Sequence, residues 1–219
     1  MTESNIKNKY NKIFVSTVFL LLLGLAFTGL VLLIKSGSID GFDSAVYDFL
    51  RSLKSRTTKQ IVKFLGVIGE SQVNLYLGLA IAALGIVVFA NKEGYSKYIS
   101  YATGVFIVFF LNPLLKDVFK RPHPDADVDK FSFPSRHAAM AFIFYLVLYL
   151  VVNKRIKIKA GRIALAIFCV IMPLLIGFSR VYLKNHYASD TIGGYLEAGI
   201  VFTIVILIKN LIEHFSRRN

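Results

Sequence analysis

The sequence is poor in cysteine, in acidic residues and in charge overall. Cys169 is the single cysteine among 219 residues, so no intrachain disulfide can form and no oxidised framework is implied. Only 18% of the residues are charged and 55% are hydrophobic, whereas a soluble domain of this length ordinarily carries more charge. The sequence also contains no internal repeat and no low-complexity tract. These shortages argue against a soluble domain and favour a membrane-embedded protein.

The charge that is present is mostly positive. There are 26 Lys and Arg residues against 13 Asp and Glu residues, which gives a net charge of +13. In a soluble protein this excess would suggest a nucleic-acid partner. In a membrane protein, basic loop residues set the topology and attract anionic lipid headgroups. We therefore expect the partners to be the lipid bilayer and a membrane lipid, and we expect no nucleic acid.

Six apolar segments are candidate transmembrane helices because each holds a long run of apolar residues. They cover residues 13–34, 73–90, 98–115, 138–152, 163–178 and 191–208. The first exceeds the apolar core of a signal peptide and has no small-residue cleavage site, so it is expected to be retained. The fourth and fifth are short and should extend into their flanking residues. We predict an all-α, polytopic membrane bundle of about six transmembrane helices, with residues 1–219 forming one membrane-embedded domain.

The connections predict an orientation. The segment Asn153–Arg162 holds five basic residues and no acidic one, so the positive-inside rule makes it cytoplasmic. With six spans, both termini are then also cytoplasmic. The segment Ser36–Gln72 is too polar to span, and an amphipathic helix on the outer surface is expected there. Its apolar and charged residues alternate in a helical pattern through Phe42, Asp43, Val46, Asp48, Phe49, Leu50, Arg51, Leu53 and Lys54.

Small residues in the last span permit close helix packing. They are Gly193, Gly194 and Gly199. The packing could be within the bundle or between copies of the chain, so the sequence leaves the oligomeric state open.

Three polar clusters lie at the predicted outer ends of spans three to six, and they contain three of the four histidines. In the last cluster, His186 and Asp190 are four residues apart and share a face if the stretch is helical. A carboxylate on one imidazole nitrogen leaves the other free to attack. Arg180 offers a planar fork of donors for phosphate oxygens. The alternative is that Asp190 only caps the sixth span.

The middle cluster precedes the fourth span. Pro134 and Ser135 predict a helix start with Ser135 as the cap, and such an N-terminus suits an anion. His137 would lie in the first turn, where it could protonate a leaving group. The alternative is an ordinary serine cap with an incidental histidine.

The first cluster is rich in cations. Lys116 ends the third span, and Lys120 and Arg121 follow, although Lys120 is readily explained by snorkelling to the interface. A calcium loop through Asp125, Asp127 and Asp129 is rejected, because Lys130 and Arg136 stand where glycine and glutamate are required. Three histidines could hold zinc, but cations beside the site favour an anionic ligand over a metal. We therefore expect no metal and no cofactor.

Together the clusters resemble the signature of the type 2 phosphatidic acid phosphatase family, within the acid phosphatase and vanadium haloperoxidase superfamily. The family pattern is Lys, six residues, Arg-Pro; then Pro-Ser-Gly-His; then Ser-Arg, five residues, His, three residues, Asp. The order and spacing match, and the six-span layout covers essentially the whole chain. Histidine (His123) stands where the family has arginine, and Arg136 stands where it has glycine. Aligning Arg121 with the family arginine instead would place Leu114 at the lysine position.

The resemblance implies a metal-independent lipid phosphate phosphatase. In this family's chemistry His186 would attack phosphorus to form a phosphohistidine, Asp190 would orient it, and His137 would protonate the leaving group. The phosphoryl oxygens would be held by Lys116, Ser135 and Arg180, and here by Arg136 and His123. Arg136 either supplies the contact that His123 cannot make bidentately or obstructs the pocket, since glycine there lets the backbone approach the phosphate.

The candidate substrates are phosphatidic acid, phosphatidylglycerol phosphate, diacylglycerol pyrophosphate and polyprenyl pyrophosphate. The active site is expected on the extracytoplasmic face, where a lipid could enter sideways between helices. Two other functions fit the same residues: a phosphotransferase that uses the same histidine, and a non-catalytic lipid-phosphate binder or transporter.

Overall fold

The protein is described by a computed structural model that covers residues 3–125 and 131–216. Within those ranges the chain forms eight α-helices and one 3₁₀ turn, and no β-strand, which confirms the predicted all-α class. The helices are α1 Glu3–Lys35, α2 Asp40–Ser52, α3 Arg56–Ile68, α4 Ser71–Glu93, α5 Tyr95–Phe119, α6 Arg136–Val152, α7 Lys159–Tyr182 and α8 Ala188–Phe215, with the 3₁₀ turn at Asn153–Arg155. The described residues do not include Asp127, Asp129 and Lys130 of the rejected calcium loop, nor residues 1–2 and 217–219 at the two termini.

Six of the helices are long and apolar enough to cross a membrane, as predicted. Their spans are Tyr10–Lys35, Ser71–Phe89, Tyr95–Phe119, Arg136–Arg155, Lys159–Tyr182 and Ala188–Phe215. The fourth and fifth exceed the apolar runs 138–152 and 163–178, as expected for short runs. Polar residues at a helix end continue the backbone hydrogen bonding, so the apolar pattern marks the middle of each helix better than its ends.

Two surface helices fill the segment between the first and second spans. The predicted amphipathic helix is present as α2, and α3 follows it. Ser55 separates the two, because its Oγ accepts the Thr58 N–H at 3.0 Å and starts a new helix. Leu50 of α2 and Val62 of α3 pack together against the end of α7. Asp43, which the amphipathic pattern placed among the polar residues of this helix, is buried instead.

The core of the bundle lies around α6 and α8. Half of the residues in their most apolar windows are buried, against 6% in α1, which packs along α8 at the periphery. The three glycines of α8 all make close contacts inside the bundle: Gly193 faces Phe133, Gly194 faces the backbone of Ser135, and Gly199 faces Leu23. These small residues therefore allow close packing within the bundle.

The helix directions bring the three polar clusters to one end of the bundle. This end holds the last turns of α5 and α7 and the first turns of α4, α6 and α8. The basic connection Asn153–Arg162, between α6 and α7, lies at the opposite end, together with the turn at Gly94 between α4 and α5. The candidate site and the strongly basic loop are therefore separated by the length of the membrane helices.

Replacing Gly194 by alanine is expected to destabilise the bundle. The new Cβ would lie 2.4 Å from the carbonyl oxygen of Ser135, and backbone cannot move aside as a flexible side chain can. Overpacking of this kind costs about 1–3 kcal/mol. Gly29→Ala in α1 is the matched control, because nothing lies within 4 Å of its added Cβ. Thermal unfolding in detergent measures both variants, and equal unfolding temperatures would contradict the close approach of α6 and α8.

Candidate active site

A polar cavity of about 640 Å³ opens at the end of the bundle where the three clusters meet. Five of the eight site residues predicted from the sequence line it: Lys116, His123, Arg136, His137 and His186. The remaining lining residues are Glu70, Ser71, Gln72, Pro113, Asp117, Phe131 and Asn185. Three of the predicted residues, Ser135, Arg180 and Asp190, are buried and do not line the cavity. The predicted set is therefore divided between the cavity wall and a buried layer.

His186 and Asp190 form a buried pair at the start of α8. The Nδ1 atom of His186 lies 3.4 Å from Oδ2 of Asp190, and the same oxygen accepts the Tyr187 N–H at 3.0 Å. The N-cap of α8 is Tyr187, so Asp190 is not the cap itself but the third residue of the helix, whose side chain accepts the N–H of the cap residue and also faces His186. Burial is the largest influence on His186 and lowers its pKa below the ordinary 6.5, although Asp190 acts in the opposite sense. A neutral imidazole with Nδ1 held by a carboxylate leaves Nε2 as the nucleophilic nitrogen.

His137 lies across the cavity from His186, with ring centroids 6.5 Å apart. It follows Arg136, the first residue of α6, and its Nε2 lies 3.3 Å from Oε2 of Glu70. Burial raises the pKa of Glu70, but the charge of His137 and hydrogen bonds from His137 and Ser71 outweigh it, so the net shift is downward. Glu70 was not predicted from the sequence, although a carboxylate immediately before a span at the site's end of the bundle was a usable signal.

Ser135 stands at the N-cap position of α6, but its side chain makes no capping hydrogen bond, which differs from the prediction. Its backbone N–H instead donates to the carbonyl oxygen of Asp190 at 3.0 Å. The preceding carbonyl, that of Pro134, accepts from Asn112 at 3.3 Å, and Asn112 also donates to the buried Glu197 at 2.6 Å. The start of α6 is therefore fastened to both α5 and α8. Asn112 and Glu197 were not found from the sequence because they lie inside apolar runs.

Arg180 holds the turn that presents His186. Its carbonyl oxygen accepts the N–H groups of Asn185 at 2.9 Å and of His186 at 3.2 Å. Its guanidinium packs against Gly66 of α3, where an added Cβ would lie 2.5 Å from one of the terminal nitrogens. Gly66 is therefore needed to make room for this buried arginine.

The first cluster separates into residues that face the cavity and one that does not. Lys116 donates to the carbonyl oxygen of Phe131 at 2.8 Å, at the far side of the connection between α5 and α6. His123 is held through Nδ1 by the carbonyl oxygen of Asn185, and its ring centroid is 5.0 Å from that of His186.

Arg121 is turned away from the cavity and binds the carboxylates of Asp43 and Asp190. Of the two alignments that the sequence allowed, the one that brings His123 to the cavity agrees with this geometry.

Arg136, the residue that replaces a glycine of the family pattern, lies along the α5 side of the cavity. Its guanidinium carbon is 3.9 Å from the ring centroid of Phe109, and a terminal nitrogen donates to that residue's carbonyl oxygen at 3.3 Å. Among the described residues it has no carboxylate within ion-pair distance. Arg136 therefore adds a positive group to the wall of the cavity.

The cavity suits an anion. Two basic side chains and three imidazoles line it beside the carboxylates of Glu70 and Asp117, and the first turn of α6, at the positive end of that helix's dipole, contributes Arg136 and His137 to its wall. Within residues 3–125 and 131–216, no group of three His, Cys, Asp or Glu side chains is placed to hold a metal ion. The arrangement leaves room for a tetrahedral oxyanion group between His186 and His137.

More than half of the chain matches a known protein family. The model of the PAP2 superfamily matches residues 97–212, which is more than half of the chain. Phosphatidylglycerophosphatase B of Bacillus subtilis (strain 168) is 30% identical over 113 residues, which cover 49% of this chain and 56% of that protein. This chain thus spans about half the length of that curated relative.

The fold also has a solved counterpart. The crystal structure of the first transmembrane PAP2 type phosphatidylglycerolphosphate phosphatase from Bacillus subtilis is similar with a TM-score of 0.72, over 91% of this chain and 96% of that one, at 22% identity. At that identity the likeness concerns the fold. The six apolar helices and this likeness identify a multi-pass membrane protein. Since the family model also covers the three polar clusters, the chain belongs to the PAP2 superfamily.

Proposed function

We propose that this chain is a lipid phosphate phosphatase that acts at the membrane surface through a phosphohistidine. The observation that carries the proposal is the buried His186–Asp190 pair, which faces His137 across a polar cavity at the ends of apolar helices. The name of the relative that is 30% identical, a phosphatidylglycerophosphatase, supports a lipid phosphate as the substrate. Phosphatidylglycerol phosphate is therefore the first substrate to test, beside phosphatidic acid and the two lipid pyrophosphates.

The proposed reaction has two steps. Nε2 of His186 attacks phosphorus, the bond from phosphorus to the leaving oxygen breaks, and His137 gives that oxygen a proton. A water molecule then attacks the phosphohistidine, His137 takes a proton from it, and the phosphorus–nitrogen bond breaks to release phosphate. His137 therefore ends in the protonation state in which it began.

Catalysis in this proposal rests on positioning and on preorganised positive charge. Lys116 and His123 face the cavity beside His186, and Arg136 contributes from the wall formed by α5. Ser135 and Arg180 belong to the buried layer and would contact the phosphoryl oxygens if these enter as deeply as the imidazole of His186. Such groups act on the charge that spreads over the oxygens in the transition state, and no metal is required by the mechanism.

The orientation follows from the separation of the two ends of the bundle. The basic connection Asn153–Arg162 favours the cytoplasm, which would place both termini inside and the cavity on the extracytoplasmic face. A lipid in the outer leaflet would then reach the cavity with its headgroup while its chains remain in the membrane.

Two other functions use the same cavity. A phosphotransferase would form the same phosphohistidine and pass the group to an acceptor other than water. A lipid-phosphate binder or transporter would bind without turnover, but it gives no reason for the buried pairing of His186 with Asp190. Measuring free phosphate, phosphorylated acceptor and bound lipid side by side separates the three functions.

His186→Ala is expected to abolish phosphate release, with a loss of at least about a thousandfold, because it removes the nucleophile. Phosphate release is measured with purified protein in liposomes containing each candidate lipid and a chelator. His214→Ala is the matched control, since this histidine lies in the last turn of α8, at the opposite end of the helix from His186. If His186→Ala retained release, or if the wild type needed the metal that the chelator removes, the proposed mechanism would be wrong.

Glu70→Gln is expected to move the alkaline limb of the pH–rate profile to lower pH. The carboxylate of Glu70 lies 3.3 Å from His137 Nε2 and favours the protonated imidazole that donates to the leaving group, whereas a neutral amide does not. Asp117→Asn removes the same charge from the same cavity and is the control. An equal displacement of the limb in both variants would show that Glu70 acts only through the general charge of the cavity.

Arg136→Gly restores the family's residue and is expected to lower kcat/KM about tenfold or more, the effect of losing one charge-assisted hydrogen bond. The stacking of Arg136 on Phe109 supports this expectation, because it holds the side chain against the α5 wall. Arg136→Lys keeps the charge without the planar fork, so its kcat/KM should lie between those of the wild type and Arg136→Gly. Unchanged or increased activity in Arg136→Gly would mean that Arg136 does not compensate for His123.

A further inference from the structure

Arg121 is the guanidinium closest in sequence to the arginine of the family pattern, yet its donors point away from the cavity. One terminal nitrogen donates to Asp190 Oδ1 and to Ser189 Oγ, both at 2.7 Å, and the other donates to Asp43 Oδ2 at 2.8 Å. The guanidinium carbon also lies 4.0 Å from the centroid of the Tyr187 ring. Arg121 is not among the residues that line the cavity. It lies behind the His186–Asp190 pair.

The two oxygens of the Asp190 carboxylate bind different partners. Oδ1 binds Arg121, whereas Oδ2 accepts the Tyr187 N–H and faces Nδ1 of His186. The side chain of Asp190 has 0% exposure, so its charge must be compensated inside the protein. Arg121 supplies that compensation and fixes the rotation of the carboxylate, because a planar fork restrains its acceptors in direction as well as in distance.

Asp43 completes the arrangement from the surface helix α2. Its Oδ1 accepts the Ser189 N–H at 2.8 Å, and its Oδ2 accepts the Ser189 hydroxyl at 2.6 Å together with the donor from Arg121. Asp43 therefore shares the charge of Arg121 with Asp190 and holds the residue immediately before Asp190. Burial opposes the charge of Arg121, but Asp190 and Asp43 outweigh it and hold the pKa of the guanidinium above its ordinary value.

We propose that Arg121 and Asp43 are positioning residues that set the orientation and the effective charge of Asp190, and thereby aim His186, without touching the substrate. This inference rests on the proposed function, in which His186 is the nucleophile. It assigns to Arg121 a role behind the nucleophile in place of the phosphate contact that its nearness to the family arginine would suggest. It also makes the surface helix α2 a part of the active site.

Replacing Arg121 and replacing Asp43 should have opposite effects on the protonation of His186. His186 faces Asp190 of α8, Lys116 of α5, His123 of the segment after α5, and His137 of α6. All four residues are retained in the Arg121 and Asp43 variants, so they do not themselves account for a difference between the two. Removing the positive charge of Arg121 strengthens the hold of Asp190 on a protonated His186, whereas removing the negative charge of Asp43 weakens it. The neutral form attacks, so the acidic limb of the pH–rate profile should move in opposite directions.

The experiment compares pH–rate profiles of Arg121→Gln and Asp43→Asn on one lipid substrate. The acidic limb is expected to move to higher pH in Arg121→Gln and to lower pH in Asp43→Asn. In both, kcat should fall, by up to about a hundredfold in Arg121→Gln, whereas KM stays within about twofold. The substrate phosphate titrates identically in every sample, so differences between the profiles belong to the protein. Arg51→Gln and Asp48→Asn are the matched controls, because both residues are exposed on α2, and their profiles should match the wild type.

Three outcomes overturn the proposal. Limbs that move in the same direction, or not at all, would reduce Arg121 and Asp43 to general structural support. A rise in KM with weaker inhibition by inorganic phosphate in Arg121→Gln would show that Arg121 binds the substrate. A wild type that releases no phosphate from any lipid would overturn the proposed function, and this inference with it, whereas an active wild type with unshifted variants would overturn the inference alone.

Arg121→Lys guards against a variant that does not fold. It keeps the charge and loses the fork, so its limb should stay near that of the wild type while kcat falls. Thermal unfolding in detergent shows whether Arg121→Gln is folded. If it is not, the shifted acidic limb of Asp43→Asn and the unshifted acidic limb of Arg121→Lys decide the proposal. A limb in Arg121→Lys that moves to higher pH as kcat falls would contradict the assignment of charge to this contact.

Discussion

The carboxylate of Asp190 is the group on which the site depends. It has no exposure to solvent and lies in the first turn of a helix that is otherwise apolar enough to cross a membrane. A charge in that position is tolerated only when it is neutralised and hydrogen-bonded. Three donors meet the requirement: the Tyr187 N–H, the imidazole of His186 and the guanidinium of Arg121. The same set of contacts starts α8, orients the histidine and brings the segment after α5 over the end of the bundle.

This requirement explains why elements far apart in sequence converge. Lys120 adopts a left-handed conformation with φ of 51°, which ends α5 and lets the next residue, Arg121, reach back toward α8. Asp43 then draws α2 onto the same point. Removing one member of a buried ion pair leaves the other uncompensated and costs about 3–5 kcal/mol, so the contacts that join the surface helix to the bundle cannot be broken singly without a large loss of stability.

The sequence predicted the class of fold, the six spans and the meeting of the three polar clusters at one end, because long apolar runs and the alternation of helix directions leave little choice. It predicted less of how the clusters interlock. Asp43, Glu70 and Arg121 bind partners 146, 67 and 78 residues away, and no local pattern specifies such pairs. For Asp43 a signal existed. It stands three and seven residues before Val46 and Leu50, which pack inward. Its carboxylate therefore lies on the apolar face of the amphipathic helix, where a solvated aspartate is not expected.

The two departures from the family pattern gain a physical context from Arg121. The guanidinium beside the expected position is occupied by two carboxylates, and His123, at the expected spacing, lines the cavity in its place. His123 therefore reaches the cavity at the spacing of the family arginine, whereas Arg121 compensates the charge of Asp190. Arg136 adds positive charge from the α5 side of the cavity, where it is held by the ring and carbonyl of Phe109. Arg121 is thus committed to Asp43 and Asp190, whereas the guanidinium of Arg136 lines the cavity. The chain retains the order of the three polar clusters of the family pattern, whereas the residues at positions 123 and 136 differ from it.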